Sequence, residues 1–181
     1  MNTEGPCRIL LIGMMGSGKS TIGQLLSNAT GWPYLDNDEL VRRSRGATSR
    51  QIVEEHGEAQ MREAEADALA LGVTVATPAV IGVAAGAILE AADREQLRLG
   101  GIVVWLRADA SELESRSIGA EHRPWLDTDG GSWIRDAVAE REPLYASVAD
   151  MVIDTGTGDA EASTAQILDR LHRISACAEI R

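Results

Sequence analysis

Ile9-Leu10-Leu11-Ile12-Gly13-Met14-Met15-Gly16-Ser17-Gly18-Lys19-Ser20-Thr21 decides how this chain folds. The four apolar residues read as a short buried strand. Gly13 to Ser20 fits G-x-x-x-x-G-K-[ST], a phosphate-binding P-loop. Thr21-Ile22-Gly23-Gln24-Leu25-Leu26 then opens a helix. Glycines let the loop curl so that successive N–H groups face one anion. The helix N-terminus adds partial positive charge. Lys19 reaches the outer phosphates, and the Ser20 hydroxyl suits Mg²⁺. Gly16, Ser17, Gly18, Lys19, Ser20 and Thr21 are therefore the candidate ATP-binding residues. An ordinary glycine turn would leave the Lys-Ser pair in register unexplained.

Outward from the loop, short apolar runs alternate with helical patterns. Strands are expected at 8–12, 32–35, 78–83, 102–106 and 151–153. Helices are expected at about 18–29, 38–45, 49–56, 58–71, 109–116, 132–147 and 159–174, with Ser49 capping the third. Residues 117–131 are rich in glycine, proline and charge and read as a loop. Strands alternating with helices predict an α/β, three-layer P-loop NTPase fold. Its parallel sheet would have about five strands with helices on both faces. One domain is expected over 1–181, with acceptor-binding helices at about 38–71 and a lid loop at about 117–131. Ligands collect at the carboxyl ends of such strands. The P-loop, Asp36/Asp38 and Ala84-Ala85-Gly86 each follow a strand, so all three should line one crevice.

Composition narrows the partners. The net charge is −11, which opposes non-specific nucleic-acid binding. Lys19 is the only lysine, and any further anion grip must come from arginines. No apolar run is long enough for a membrane span, and Met1-Asn2-Thr3-Glu4-Gly5 lacks a signal core. Cys7 and Cys177 are the only cysteines, and His56, His122 and His172 are scattered. No zinc-type cluster results, and a reduced cytoplasmic setting is expected. A monomer is expected.

Asp36 and Asp38 are two apart at a strand end and should point the same way. One carboxylate can hold a metal's water shell while the other accepts a proton from an attacking hydroxyl. Helix capping is the plainer role for either. The strand at 79–83 ends without an acid, so Asp36 replaces the missing Walker-B aspartate. Arg62 and Glu65 are three apart on a helix and can touch. A guanidinium fork matches an acceptor carboxylate. Arg116 and Arg123 bracket the start of the loop and can close over phosphates. Arg141 lies on the following helix.

This ordered set resembles the shikimate kinase family over about residues 8–172. The matching pieces are Gly13–Thr21, Leu35-Asp36-Asn37-Asp38, Gly57-Glu58, Arg62-Glu63-Ala64-Glu65, Val103-Val104-Trp105-Leu106, Arg116, Arg123-Pro124-Trp125-Leu126, Arg141-Glu142-Pro143-Leu144-Tyr145, Ala149-Asp150 and Ile153-Asp154-Thr155. The resemblance implies ATP-dependent phosphorylation of shikimate to shikimate 3-phosphate, in aromatic amino acid biosynthesis. It implies that Asp38 binds the acceptor hydroxyls and acts as base, with Glu65, Ala85 and Gly86 beside it. Arg62 and Arg141 would grip the acceptor carboxylate. Ser20 and Asp36 would serve Mg²⁺, and Lys19, Arg116 and Arg123 the transferring phosphoryl group.

The departures are local. The family's three glycines read Ala84-Ala85-Gly86 here, and its phenylalanines are replaced by Met61 and Val53. Thr155-Gly156-Thr157-Gly158-Asp159 lacks the basic residue and proline often found near adenine. A kinase for another cyclitol or sugar acid, and a nucleotide-binding module without turnover, are the alternatives.

Overall fold

A computed structural model describes residues 7–117, 132–156 and 159–173. The strands are β1 (Arg8–Ile12), β2 (Tyr34–Leu35), β3 (Ala79–Gly82), β4 (Ile102–Arg107) and β5 (Met151–Asp154). The helices are α1 (Lys19–Thr30), α2 (Asn37–Arg45), α3 (Ser49–His56), α4 (Glu58–Gly72), α5 (Ala91–Gly100), α6 (Ala110–Ser117), α7 (Ser132–Val148) and α8 (Ala160–Arg173). The five strands form one sheet in the order β2-β3-β1-β4-β5, and every neighbouring pair is parallel.

The period-two rule divides the core into two layers. Leu10, Ile12, Ile81, Val103 and Trp105 face one side, where Met61, Ala68, Leu97, Ile134 and Tyr145 bury them. Ile9, Leu11, Val80, Val104, Leu106 and Ile153 face the other, against Ile22 and Leu26 of α1 and Ile167 and Leu171 of α8. Strands buried on both faces account for the continuous apolar runs in the sequence. The expected three-layer P-loop fold is thus the observed one. Central β1 has β3 on one side and β4 on the other, so the connections diverge at its carboxyl end. The P-loop stands there, at the position where such sheets bind ligands.

The sequence reading needs correcting in four places. It left out α5, the helix between β3 and β4. Asp36 and Asp38 do not alternate along a strand: β2 stops at Leu35, Asp36 caps α2, and Asp38 lies in that helix's first turn. Thr48, not Ser49, caps α3, through a capping box with Gln51. The expected lid lies outside the described residues except for Ser117, the last residue of α6. Cys7 carries a disulfide rather than the reduced thiol expected, and its partner is outside the described residues. No helix among the described residues is long and apolar enough to cross a membrane.

Candidate active site

The P-loop backbone needs glycine at Gly16 (φ 77°) and Gly18 (φ 92°), both left-handed. Gly18 ends the loop as the N-cap of α1, leaving that helix's first N–H groups toward the cleft. Lys19 Nζ donates to the carbonyls of Gly13 (2.8 Å) and Met14 (2.9 Å), folding over the loop. Ser17 Oγ is buried with no hydrogen-bond partner. The loop opens into a cleft of about 1070 Å³, which Thr21, Asp36, Asp38, Arg62, Arg116 and Arg141 also line. The crevice inferred from the sequence therefore forms.

Asp36 and Ser20 meet beside the loop. Ser20 Oγ donates to Asp36 Oδ2 at 2.9 Å, and the Asp38 N–H donates to Oδ1 at 3.1 Å. Capping and site-building are thus done by one side chain. A hydroxyl and a carboxylate are the hard oxygen donors Mg²⁺ takes, with water and nucleotide phosphate completing its shell. The pair fits that ion. No group of three or more His, Cys, Asp or Glu among the described residues could hold a metal alone. Asp38, exposed to the cleft, accepts from Ser49 Oγ at 3.0 Å. Freed from capping, Ser49 crosses from α3 to α2.

The far wall carries Arg62 and Arg141. Arg62 donates to Glu65 Oε2 at 2.9 Å and to Glu58 Oε1 at 3.0 Å. Burial pushes the Glu65 carboxyl above its ordinary pKa, and the Arg62 guanidinium opposes that rise. Arg141 is only 7% exposed. Its Nε has no hydrogen-bond partner, and it forms no ion pair among the described residues, although its charge reaches Glu65 and it bonds the Tyr145 hydroxyl. The guanidinium lies 5.9 Å from the centre of the Trp133 ring. A buried guanidinium with an unsatisfied N–H and no ion pair is costly, and an incoming carboxylate would relieve it.

The Ala84-Ala85-Gly86 turn connects these groups. Its demand at Gly86 is room: a Cβ there would overlap the Arg62 guanidinium. Gly86 is not among the glycines with left-handed backbone, so the requirement is close approach rather than an unusual angle. Tyr145 Oη donates to the Ala85 carbonyl at 2.8 Å, and its ring stacks on Trp105 with centroids 5.7 Å apart. Burial keeps this phenol protonated by raising its pKa. Tyr145 thereby ties the helix carrying Arg141 to the turn beside Arg62. Met61 and Val53 line the same cleft, as the substituted wall residues should.

Arg116 reaches from the end of α6 to the carbonyls of Thr155 (2.6 Å), Gly156 (3.1 Å) and Gly16 (3.3 Å). It closes one end of the cleft, between the P-loop and the residues after β5. Arg123 and Trp125 lie outside the described residues. Tyr34, Ser49, Trp133 and Tyr145 were not foreseen as site residues. Only Ser49 carried a local signal: with the capping box assigned to Thr48 and Gln51, its hydroxyl was left over.

Known proteins match this chain along nearly its whole length. The family model for shikimate kinase matches residues 15–172. The shikimate kinase of Bordetella pertussis is 39% identical over 164 residues, covering 90% of this chain and 77% of that protein. A solved structure of shikimate kinase from Acinetobacter baumannii in complex with shikimate is 32% identical, with a TM-score of 0.87. That match covers 96% of this chain and 97% of the other. A gluconokinase from Sinorhizobium meliloti, 20% identical with a TM-score of 0.58, shares the fold alone. With Gly16–Thr21 of the P-loop, the Asp36–Asp38 pair and the arginine wall all within the matched span, the chain belongs to the shikimate kinase family.

Proposed function

We infer that this protein is an ATP-dependent kinase that phosphorylates shikimate, giving shikimate 3-phosphate. The observation that carries the acceptor is Arg141, a buried guanidinium with an orphaned Nε facing a cleft that also holds Arg62. Two arginines on one wall suit a carboxylate, which a neutral sugar lacks. The reading assigns α2, α3 and α4 to the acceptor and the P-loop to ATP. Arg123, with the segment around it, closes over the phosphates.

Asp38 is the base in this reading. It takes the proton of the acceptor hydroxyl as that oxygen bonds to the γ-phosphorus and the bond to the departing ADP oxygen breaks. Glu65 holds Arg62 toward the acceptor carboxylate, and the Ala85–Gly86 backbone approaches the ring. Lys19, the P-loop N–H groups, Arg116 and Arg123 take up charge on the phosphoryl oxygens. Ser20 and Asp36 would hold Mg²⁺, which when bound would supply further charge neutralisation on the phosphates. ATP as donor fits a cytoplasmic reaction, and a monomer suffices because one chain supplies every group named.

A small acceptor panel tests the assignment. With ATP and Mg²⁺, shikimate should yield ADP and a phosphorylated product visible by ³¹P NMR. Its carboxamide should bind more than about 30-fold worse, the effect of losing one charged, desolvated hydrogen-bond partner. Product from another cyclitol or sugar acid but not from shikimate would overturn the acceptor and leave the kinase. No product from any acceptor would overturn the kinase.

A further inference from the structure

Tyr34 is the first residue of β2, and its side chain occupies a slot made by two glycines. A Cβ on Gly23 of α1 would overlap the tyrosine ring, and one on Gly82 of β3 would stand 2.5 Å from Oη. Neither glycine has left-handed backbone, so these positions provide space. From the slot, Tyr34 Oη donates to Asp36 Oδ2 at 2.8 Å. This is the oxygen that Ser20 Oγ reaches at 2.9 Å, while Oδ1 accepts from the Asp38 N–H at 3.1 Å.

The two hydroxyls on Asp36 are not equivalent. Ser20 belongs to the P-loop, and its oxygen can offer a lone pair to a cation while its proton still bonds Asp36. Tyr34 Oη on one oxygen and the Asp38 N–H on the other are donors that no cation would engage. Donors on both oxygens fix the rotation of the carboxylate plane. We propose that Tyr34 is a positioning residue for Mg²⁺-dependent nucleotide binding, its hydroxyl fixing the Asp36 carboxylate opposite Ser20. The proposal rests on reading Ser20 and Asp36 as the metal side of the cleft. It does not depend on the identity of the acceptor.

Tyr34→Phe keeps the ring and removes only Oη. Calorimetric titration with ADP, with and without Mg²⁺, reads the effect without an acceptor. Residues that orient a metal-binding group typically contribute about 10–100-fold to metal affinity. The gain in ADP affinity that Mg²⁺ confers should fall about tenfold in the variant, while metal-free ADP binds as in wild type. In turnover, the Mg²⁺ concentration for half-maximal rate should rise by a similar factor, with kcat at saturating Mg²⁺ and the acceptor KM held. Gly82→Ser retains the tyrosine but drives a side chain against Oη, and should reproduce the calorimetric loss. An unchanged Mg²⁺ gain in Tyr34→Phe would make the hydroxyl incidental. An equal loss of ADP affinity with and without Mg²⁺ would make Tyr34 a packing residue. Either result overturns the proposal. A wild-type protein whose ADP affinity ignores Mg²⁺ would remove the metal-side reading itself, whichever acid is phosphorylated.

Discussion

Replacing Arg141 by methionine should make the ligand-free protein more stable and the acceptor site useless. Arg141 is buried, its Nε is unpaired, and no acid among the described residues forms an ion pair with it. An unsatisfied buried polar group costs about 1–3 kcal/mol. Methionine removes that penalty while keeping an unbranched apolar stem in the same space. The contact with the Trp133 ring is lost, a contribution of roughly 0.5–2 kcal/mol. The net gain is about 1 kcal/mol, which for a domain of this size raises Tm by about 2–4 °C. The acceptor moves the other way. Losing a charged, desolvated partner costs about 2–5 kcal/mol, so shikimate should bind more than about 30-fold more weakly. Arg141 also helps hold down the Glu65 pKa, so its removal leaves Glu65 easier to protonate and Arg62 less firmly paired. Thermal melts with and without shikimate, and calorimetry for affinity, read both effects. A Tm several degrees lower with acceptor affinity intact would show that Arg141 is structural and refute the reasoning.

Three other changes probe separate parts of the molecule. Asp38→Asn keeps the Ser49 contact available but removes the proton acceptor; kcat should fall by about 10²–10⁴ with ATP affinity little changed, read by steady-state kinetics. Arg8→Met should lower Tm and leave acceptor affinity alone, because Arg8 satisfies the Gly100 and Val75 carbonyls, which methionine cannot. Asp93 is buried in α5, and burial first, then the Glu90 charge, raise its pKa. The folded state therefore holds this proton more tightly than the unfolded chain, and stability is lost as pH rises from about 3.9 through the higher folded value. Asp93→Asn should raise Tm near pH 7.5, and the gain should vanish below about pH 4 in melts across that range.

What was legible in the sequence was whatever a local rule dictates. The P-loop requires left-handed glycines at fixed offsets from a lysine, so Gly16, Gly18 and Lys19 declare themselves. Buried parallel strands require unbroken apolar runs, and β1 and β4 supply them. Helix α5 was missed because Ala91–Gly100 has four charged residues and two leucines, a weak helical stripe. Only the rule that parallel strands need a crossover asks for it. Asp36 was misread because β2 is two residues long and the capping preference of aspartate prevails over the alternation. Between Thr48 and Ser49, the decisive feature was Gln51 three residues after Thr48. The links from Tyr145 to Ala85 and from Tyr34 to the Gly23–Gly82 slot are set by packing between distant segments, which no sequence period encodes.

Arg8 and Arg141 show why site chemistry had to come from position. Both are buried to the same 7% exposure, and both leave Nε without a partner. At the start of β1, away from the P-loop, the terminal nitrogens of Arg8 find two backbone carbonyls and seal that end of the sheet. Arg141 instead lines the cleft that the P-loop opens, where it lies over the Trp133 ring, bonds the Tyr145 hydroxyl and forms no ion pair among the described residues. A protein selected for stability alone would fill that position with an apolar residue or provide an acid. It does neither, and the Arg62–Glu65 pair on the same wall keeps its own guanidinium engaged until something better arrives. On the proposed function, a carboxylate on a small acceptor would satisfy Arg141 without remaining in the fold.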